Sequence, residues 1–203
     1  MRLDGPAGDI HDEIGGVNAE GFVPWATIRA IAKSQDMESF VEKYPKPALR
    51  IFAHGGQHEA SILQLTDREL SFKSTMTVPI HGDARRYHDK VAFLSKRPNM
   101  PFPNMISIGR ALNSDVVLVL DTISKFHGYF MKSGGPGAGP PNQEAESWSF
   151  VDGKTTNGTH VNGKRLEKGE RRPVGDGDEV ALGLEVHAIF LLPKTLYGAL
   201  TGG

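Results

Sequence analysis

The chain has 203 residues, 23 basic and 24 acidic side chains for a formal net charge of -1, and no cysteine. Without a basic excess there is no counterion-release drive toward generic nucleic-acid or membrane-surface binding. Without a thiol there are no disulfides, no cysteine-ligated metals and no cysteine nucleophile. Hydrophobic residues at 38% allow a buried core. No run reaches transmembrane length, and the acidic start is unlike a secretory signal. A soluble cytoplasmic protein is expected.

Residues 1–20 hold Arg2 against Asp4, Asp9, Asp12, Glu13 and Glu20, with four glycines from Gly5 to Gly16 and no apolar period. The expectation for 1–21 is a poorly ordered acidic tail. Beyond Phe22, Pro24 stands where a first helical turn tolerates it, and Trp25, Ile28, Ile31 and Ala32 recur at helical spacing. Asp36 reads as the N-cap of a second helix over Met37–Tyr44, stopped by Pro45 and Pro47. Leu49–Phe52 and the alternating stretch Leu70–Pro79 read as strands. Residues 22–90 are therefore expected to form an α/β extension packed on the C-terminal half of the chain. A fragment beginning near Arg86 is expected to lose solubility or stability while keeping its binding function.

From Lys90 to the end the pattern reads as β throughout. Short apolar runs at Val91–Leu94, Met105–Ile108, Val116–Leu120, Tyr129–Met131, Trp148–Val151, Glu179–Leu182 and Val186–Leu192 are separated by turn residues, as in an all-β sandwich or barrel. The Gly/Pro-rich stretch Ser133–Asn142 reads as a long loop between two strands.

Several motifs offer less than they promise. Gly158–Lys164 approaches a P-loop, but Arg165 stands where magnesium needs a hydroxyl, and no apolar helix follows. Its two Asn-Gly pairs are hairpin-turn pairs. His54 and His58 enclose two glycines and lack the helix and the glutamate of a zinc motif; neither they, His81 nor His88 make a metal site. No Gly-x-Ser-x-Gly is present.

Four features occur in order: Ser107-Ile108-Gly109-Arg110; Asn113–Val116; Ser124-Lys125-Phe126-His127; and Asp152–Gly163, followed by Gly175–Val180. They place an Arg, a Ser, a Lys, a Thr and an Asn in loops at strand ends. Were those loops to converge, an Arg fork and hydroxyl donors would form an oxyanion site with phosphate as its natural guest.

Over roughly Val91–Pro193 the chain resembles the forkhead-associated (FHA) family of phosphothreonine-binding domains, through Gly-Arg, Ser-x-x-His and Asn-Gly-Thr-x-Val-Asn-Gly in that family's order. The resemblance implies an all-β fold, an FHA-like β-sandwich of about eleven strands over 91–195, here with an α/β N-terminal extension. It further implies that Arg110 and Ser124 bind the phosphate with Thr156 and Lys125 beside them, and that Asn157 bonds the peptide backbone. Gly109, His127, Gly158, Thr159, Asn162 and Gly163 are then structural. Lys125 keeps the charge of the Arg often found in the family at that position and loses its planar fork.

The expected function is a non-enzymatic module, without cofactor or metal, that binds a phosphothreonine-containing protein, a kinase substrate or a kinase, downstream of a serine/threonine kinase. The alternative is a phospho-independent interaction protein using the sandwich and its extension.

Overall fold

A computed structural model of the chain describes residues 21–53, 83–98, 100–134 and 146–202. The acidic segment 1–20, His54, His58, His81, the alternating stretch Leu70–Pro79 and most of Ser133–Asn142 lie outside the described residues. The described residues form twelve strands in two sheets, a β-sandwich with three α-helices and one 3-10 turn at Ala84–Tyr87.

The larger sheet runs β1 (Phe22–Pro24), β3 (Lys90–Phe93), β2 (Ala48–Ala53), β12 (Val186–Leu191), β11 (Glu179–Leu182), β8 (Thr159–Val161), β9 (Lys164–Arg165). The smaller runs β10 (Arg171–Val174), β7 (Ser147–Asp152), β6 (Gly128–Ser133), β4 (Met105–Gly109), β5 (Val116–Val117). All pairs are antiparallel except β4 with β5.

Three neighbouring strands of the larger sheet carry apolar residues on both faces. Leu49, Ile51 and Ala53 of β2, Ala92 of β3, and Val186, Ala188 and Phe190 of β12 enter the core between the sheets, against Ile106, Ile108, Phe130 and Phe150. The opposite-facing Ala48, Val91, Phe93 and Leu191 join a second core. A two-sided apolar strand needs cover on both sides. The helices supply it.

Helix α1 (Trp25–Lys33) buries Trp25, Ile28 and Ala32, and α2 (Met37–Lys43) buries Phe40. Asp36 caps α2, accepting from the Ser39 N–H at 2.9 Å. Pro24 closes β1 and stands before α1 as its N-cap, one step earlier than the sequence suggests. The C-terminal residues depart from the all-strand expectation. Pro193–Thr201 is a helix, α3, whose Leu196 and Leu200 are fully buried in the second core. Its signals were present in the sequence: proline at the first helical position, leucines one turn apart, and Gly202 ending it at φ 83°. Arg29 Nε donates to the Leu200 carbonyl at 3.1 Å, and Tyr197 Oη to the Gln35 carbonyl at 3.0 Å, locking the three helices together.

β2 lies between β12 and β3, paired with both along most of its length. Residues 22–90 thus contribute strands to the larger sheet itself, and position 90 falls inside β3. The strand expected over Val116–Leu120 pairs only at Val116–Val117. Beyond it the Leu118 N–H turns to the Gly109 carbonyl and the Val119 N–H to the buried Tyr87 hydroxyl at 2.8 Å.

Candidate functional site

Register places the site. Ile108, Gly128 and Asp152 are paired in one row across β4, β6 and β7. The segments after β4, before β6 and after β7 therefore leave the smaller sheet at the same end. Thr159 and Leu182 pair at the matching end of the larger sheet, and the Gly183 N–H donates to the Gly158 carbonyl at 3.1 Å. Loops scattered along the sequence thus meet at one end of the sandwich.

Backbone hydrogen bonds lace the first two loops. Arg110 and Ala111 N–H donate to the Ser124 and Lys125 carbonyls at 3.0 and 3.1 Å, and His127 N–H to the Ile108 carbonyl at 2.9 Å. A Cβ at position 109 would stand 2.3 Å from the Lys125 carbonyl oxygen, so only glycine permits this approach. The third loop docks on the second. Gly153 N–H donates to the His127 carbonyl at 2.8 Å, and Asn157 Nδ2 to the Thr122 carbonyl at 2.8 Å.

Arg110, Lys125 and Thr156 are exposed, while Ser124 and Asn157 are half-buried. The Arg110 guanidinium and the Lys125 ammonium make no hydrogen bond or ion pair among the described residues. Two cations and two hydroxyls are thereby gathered on one rim, a donor set for a dianionic group. Asn162 and Gly163 lie elsewhere. With φ of 50° and 73° they make the two-residue turn between β8 and β9 at the opposite end, as their Asn-Gly pairing suggests. Asn162 there donates to Asp178 Oδ1 and accepts from the Glu179 N–H.

Buried acids that the motif reading assigned no role brace these loops. Asp152 accepts from Thr155 N–H at 3.1 Å and from the Thr155 and Thr159 hydroxyls, each at 2.8 Å. Burial is the largest influence on its carboxyl and raises it, yet the Thr155 and Thr159 bonds together hold it below the usual carboxylate range. Asp115 secures the first loop through Lys96 Nζ at 2.9 Å, Arg97 N–H at 3.0 Å, and Ser107 N–H and Oγ, each at 2.7 Å. It too lies below the ordinary value, burial being outweighed by those bonds. Thr122 Oγ1 donates to Glu185 Oε2 at 2.9 Å, fastening the second loop to the turn after β11. In sequence, Asp152 three residues before Thr155 was the one available signal, the spacing of a side chain accepting from the backbone of its own turn.

His127 is fully buried, and its Nδ1 accepts from the Ser124 N–H at 3.2 Å. The neutral ring therefore carries its proton on Nε2, which has no partner in hydrogen-bond geometry. Burial is the dominant influence and pushes His127 down to about 4, the Asp152 charge and the nearby Gly158 backbone offsetting only part of it. Because the unfolded chain takes up this proton near pH 6.5, full stability holds above that pH and drains away as pH falls toward 4, by about 3 kcal/mol at most from this group. Protonation at Nδ1 also ends its acceptance of the Ser124 N–H. We expect denaturant midpoints to fall between pH 6.5 and 4 in the native chain, with a shallower slope in a folded His127→Gln variant. An equal slope in both would remove His127 as the cause.

The described architecture is a two-sheet sandwich with a cationic, hydroxyl-bearing loop cluster at one end. The FHA domain family model matches residues 106–183, a stretch that runs from β4 to β11. No curated protein matches the chain. Solved structures similar to it include a MEK1 FHA domain in complex with a HOP1 phosphothreonine peptide (20% identity, 43% of this chain and 79% of that one, TM-score 0.37). Others are the N-terminal FHA domain of Rad53p from S. cerevisiae with a phosphothreonine peptide (18% identity, 54% and 89%, TM-score 0.39), and EmbR of Mycobacterium tuberculosis with a low-affinity phosphopeptide (20% identity, 44% and 20%, TM-score 0.34). Among the described residues no group of three or more His, Asp or Glu could hold a metal, and no helix is long and apolar enough to cross a membrane.

Proposed function

We propose that this chain binds phosphothreonine-containing segments of partner proteins through the loop end, as a non-enzymatic cytoplasmic module downstream of a serine/threonine kinase. The partner is a kinase substrate or a kinase. The observation that carries the reading is Arg110, whose guanidinium is unpaired among the described residues and whose backbone is tied to the Ser124–Lys125 loop by the two bonds that Gly109 makes possible. A phosphate of about -1.5 to -2 charge matches that donor set. Arg110 supplies a planar fork, Lys125 a point charge, and Ser124 and Thr156 hydroxyls, while the Asn157 Oδ1, unbonded among the described residues, is left to meet peptide backbone N–H.

The test is a pulldown from a phosphopeptide library against its unphosphorylated counterpart, followed by titration of one captured sequence as phosphothreonine and as phosphoserine. Capture is expected only from the phosphorylated pool. A pocket that holds the methyl should favour phosphothreonine by about fivefold or more, the value of one buried methyl. Equal capture from both pools would overturn phosphate dependence, and equal affinity of the two titrated peptides would overturn threonine selection.

A further inference from the structure

Beside the third loop lies a second cationic feature. The chain turns at Asn162-Gly163 and returns along β9, so that Arg165 pairs opposite His160 and the Leu166 N–H donates to the Thr159 carbonyl at 2.9 Å. This brings Arg165, Glu167 and Lys168 back to the loop end. The Arg165 guanidinium folds over Gly158, its Nε and one Nη each 2.9 Å from where a Cβ would sit there. Arg165 and Lys168, with Asp152, Gly158, Leu166 and Glu167, line a cleft of about 340 Å³. Lys154, at φ 62° in the third loop, reaches across to Gly169 beside Lys168.

None of the Arg165, Lys168 and Lys154 side chains makes a hydrogen bond or ion pair among the described residues. Two carboxylates face the same cleft. Asp152 is occupied by the Thr155 and Thr159 bonds, and Glu167 is exposed at the rim. Two unpaired cations line an open cleft and a third, Lys154, stands beside Gly169 next to it; in a chain of net charge -1 they mark a place for an anion from outside. The third loop lines this cleft and also docks on the second loop, which carries Ser124 and Lys125. Crossing one loop means roughly 10 Å, two chain-to-chain spacings, which an extended peptide covers in about three residues.

We infer that Arg165, Lys168 and Lys154 form a second anion subsite, which receives an acidic side chain or a second phosphate on the same peptide whose phosphothreonine lies at Arg110 and Ser124. The inference rests on the phosphothreonine reading and deepens it: the partner segment is acidic or doubly phosphorylated. Arg165 carries most of the recognition, since its fork is seated against Gly158 and the two lysines act as point charges.

The experiment titrates the full chain with a phosphothreonine peptide of neutral flanks, and with a series in which one glutamate, or a second phosphothreonine, is moved residue by residue along either flank. Arg165→Gln and Lys168→Gln are measured beside the native chain. These exposed side chains support no other group, so both variants should fold. One flank position is expected to gain about three- to fivefold in the native chain, the scale of one exposed charge pair, and more for a second phosphate. Arg165→Gln should abolish that gain and leave the neutral-flank affinity unchanged. A native chain that binds the neutral-flank peptide but gains nothing at any position, or a gain that survives both variants, would overturn the subsite while leaving the phosphothreonine reading intact. No binding of any phosphopeptide would overturn both.

Discussion

Arg110→Ala is expected to remove most phosphopeptide affinity and leave the fold intact. Truncating one partner of a desolvated, hydrogen-bonded charge pair costs about 2–5 kcal/mol, which is more than a tenfold loss. Stability should hardly change, because what Arg110 gives the fold is its backbone N–H to the Ser124 carbonyl, and alanine keeps that. Its exposed side chain holds nothing else together. Arg110→Lys, with the charge but not the fork, should fall between the two. Calorimetry measures the affinity and circular dichroism the fold. A native dissociation constant in Arg110→Ala would take this residue out of the phosphate site.

A fragment beginning at Arg86 is expected not to fold, and so to lose the binding that the sequence reading expects it to keep. The truncation removes β2 from between β12 and β3, and with it Leu49, Ile51 and Ala53 of the main core. It also removes α1 and α2, leaving Leu196 and Leu200 of α3 without their cover. Full burial of each such leucine or isoleucine is worth about 1.5–3 kcal/mol, and a domain holds only about 5–15 kcal/mol in all. Phosphopeptide binding should vanish with the fold. A soluble fragment with a cooperative thermal transition and native affinity would show that β3 and β12 can close on each other without β2.

Much of this was legible in the sequence and some was not, for physical reasons. The strands carrying the motifs were readable because alternation and turn residues coincide there: Met105–Gly109 was expected as a strand to within a residue, and Asn162-Gly163 as a turn. The helix at Pro193–Thr201 was hidden by continuity, since its leucines come directly after the apolar run Val186–Leu192. β8, β9 and β1 are two or three residues long, too short to show a period, and Arg171–Val174 is an edge strand whose charges and Pro173 disguise it. That β2 sits inside the larger sheet is a long-range pairing, and no local pattern reports it. Likewise the motif residues Arg110, Ser124, Lys125, Thr156 and Asn157 could be named in sequence, but their meeting at one end depends on the register of β4, β6 and β7. The bracing by Asp115, Asp152 and Glu185 depends on burial, which composition does not reveal.

The most direct test of phosphate-dependent binding at the loop end is an NMR titration of the isotopically labelled full chain with one peptide in phosphothreonine and unphosphorylated forms. The phosphorylated peptide should move the amide signals of Arg110, Ser124, Lys125, Thr156 and Asn157, together with the Arg110 guanidinium signal, and the unphosphorylated peptide should move none of them. Shifts that are the same for both forms, or that gather on α1, α2 and α3 instead of the loops, would contradict it.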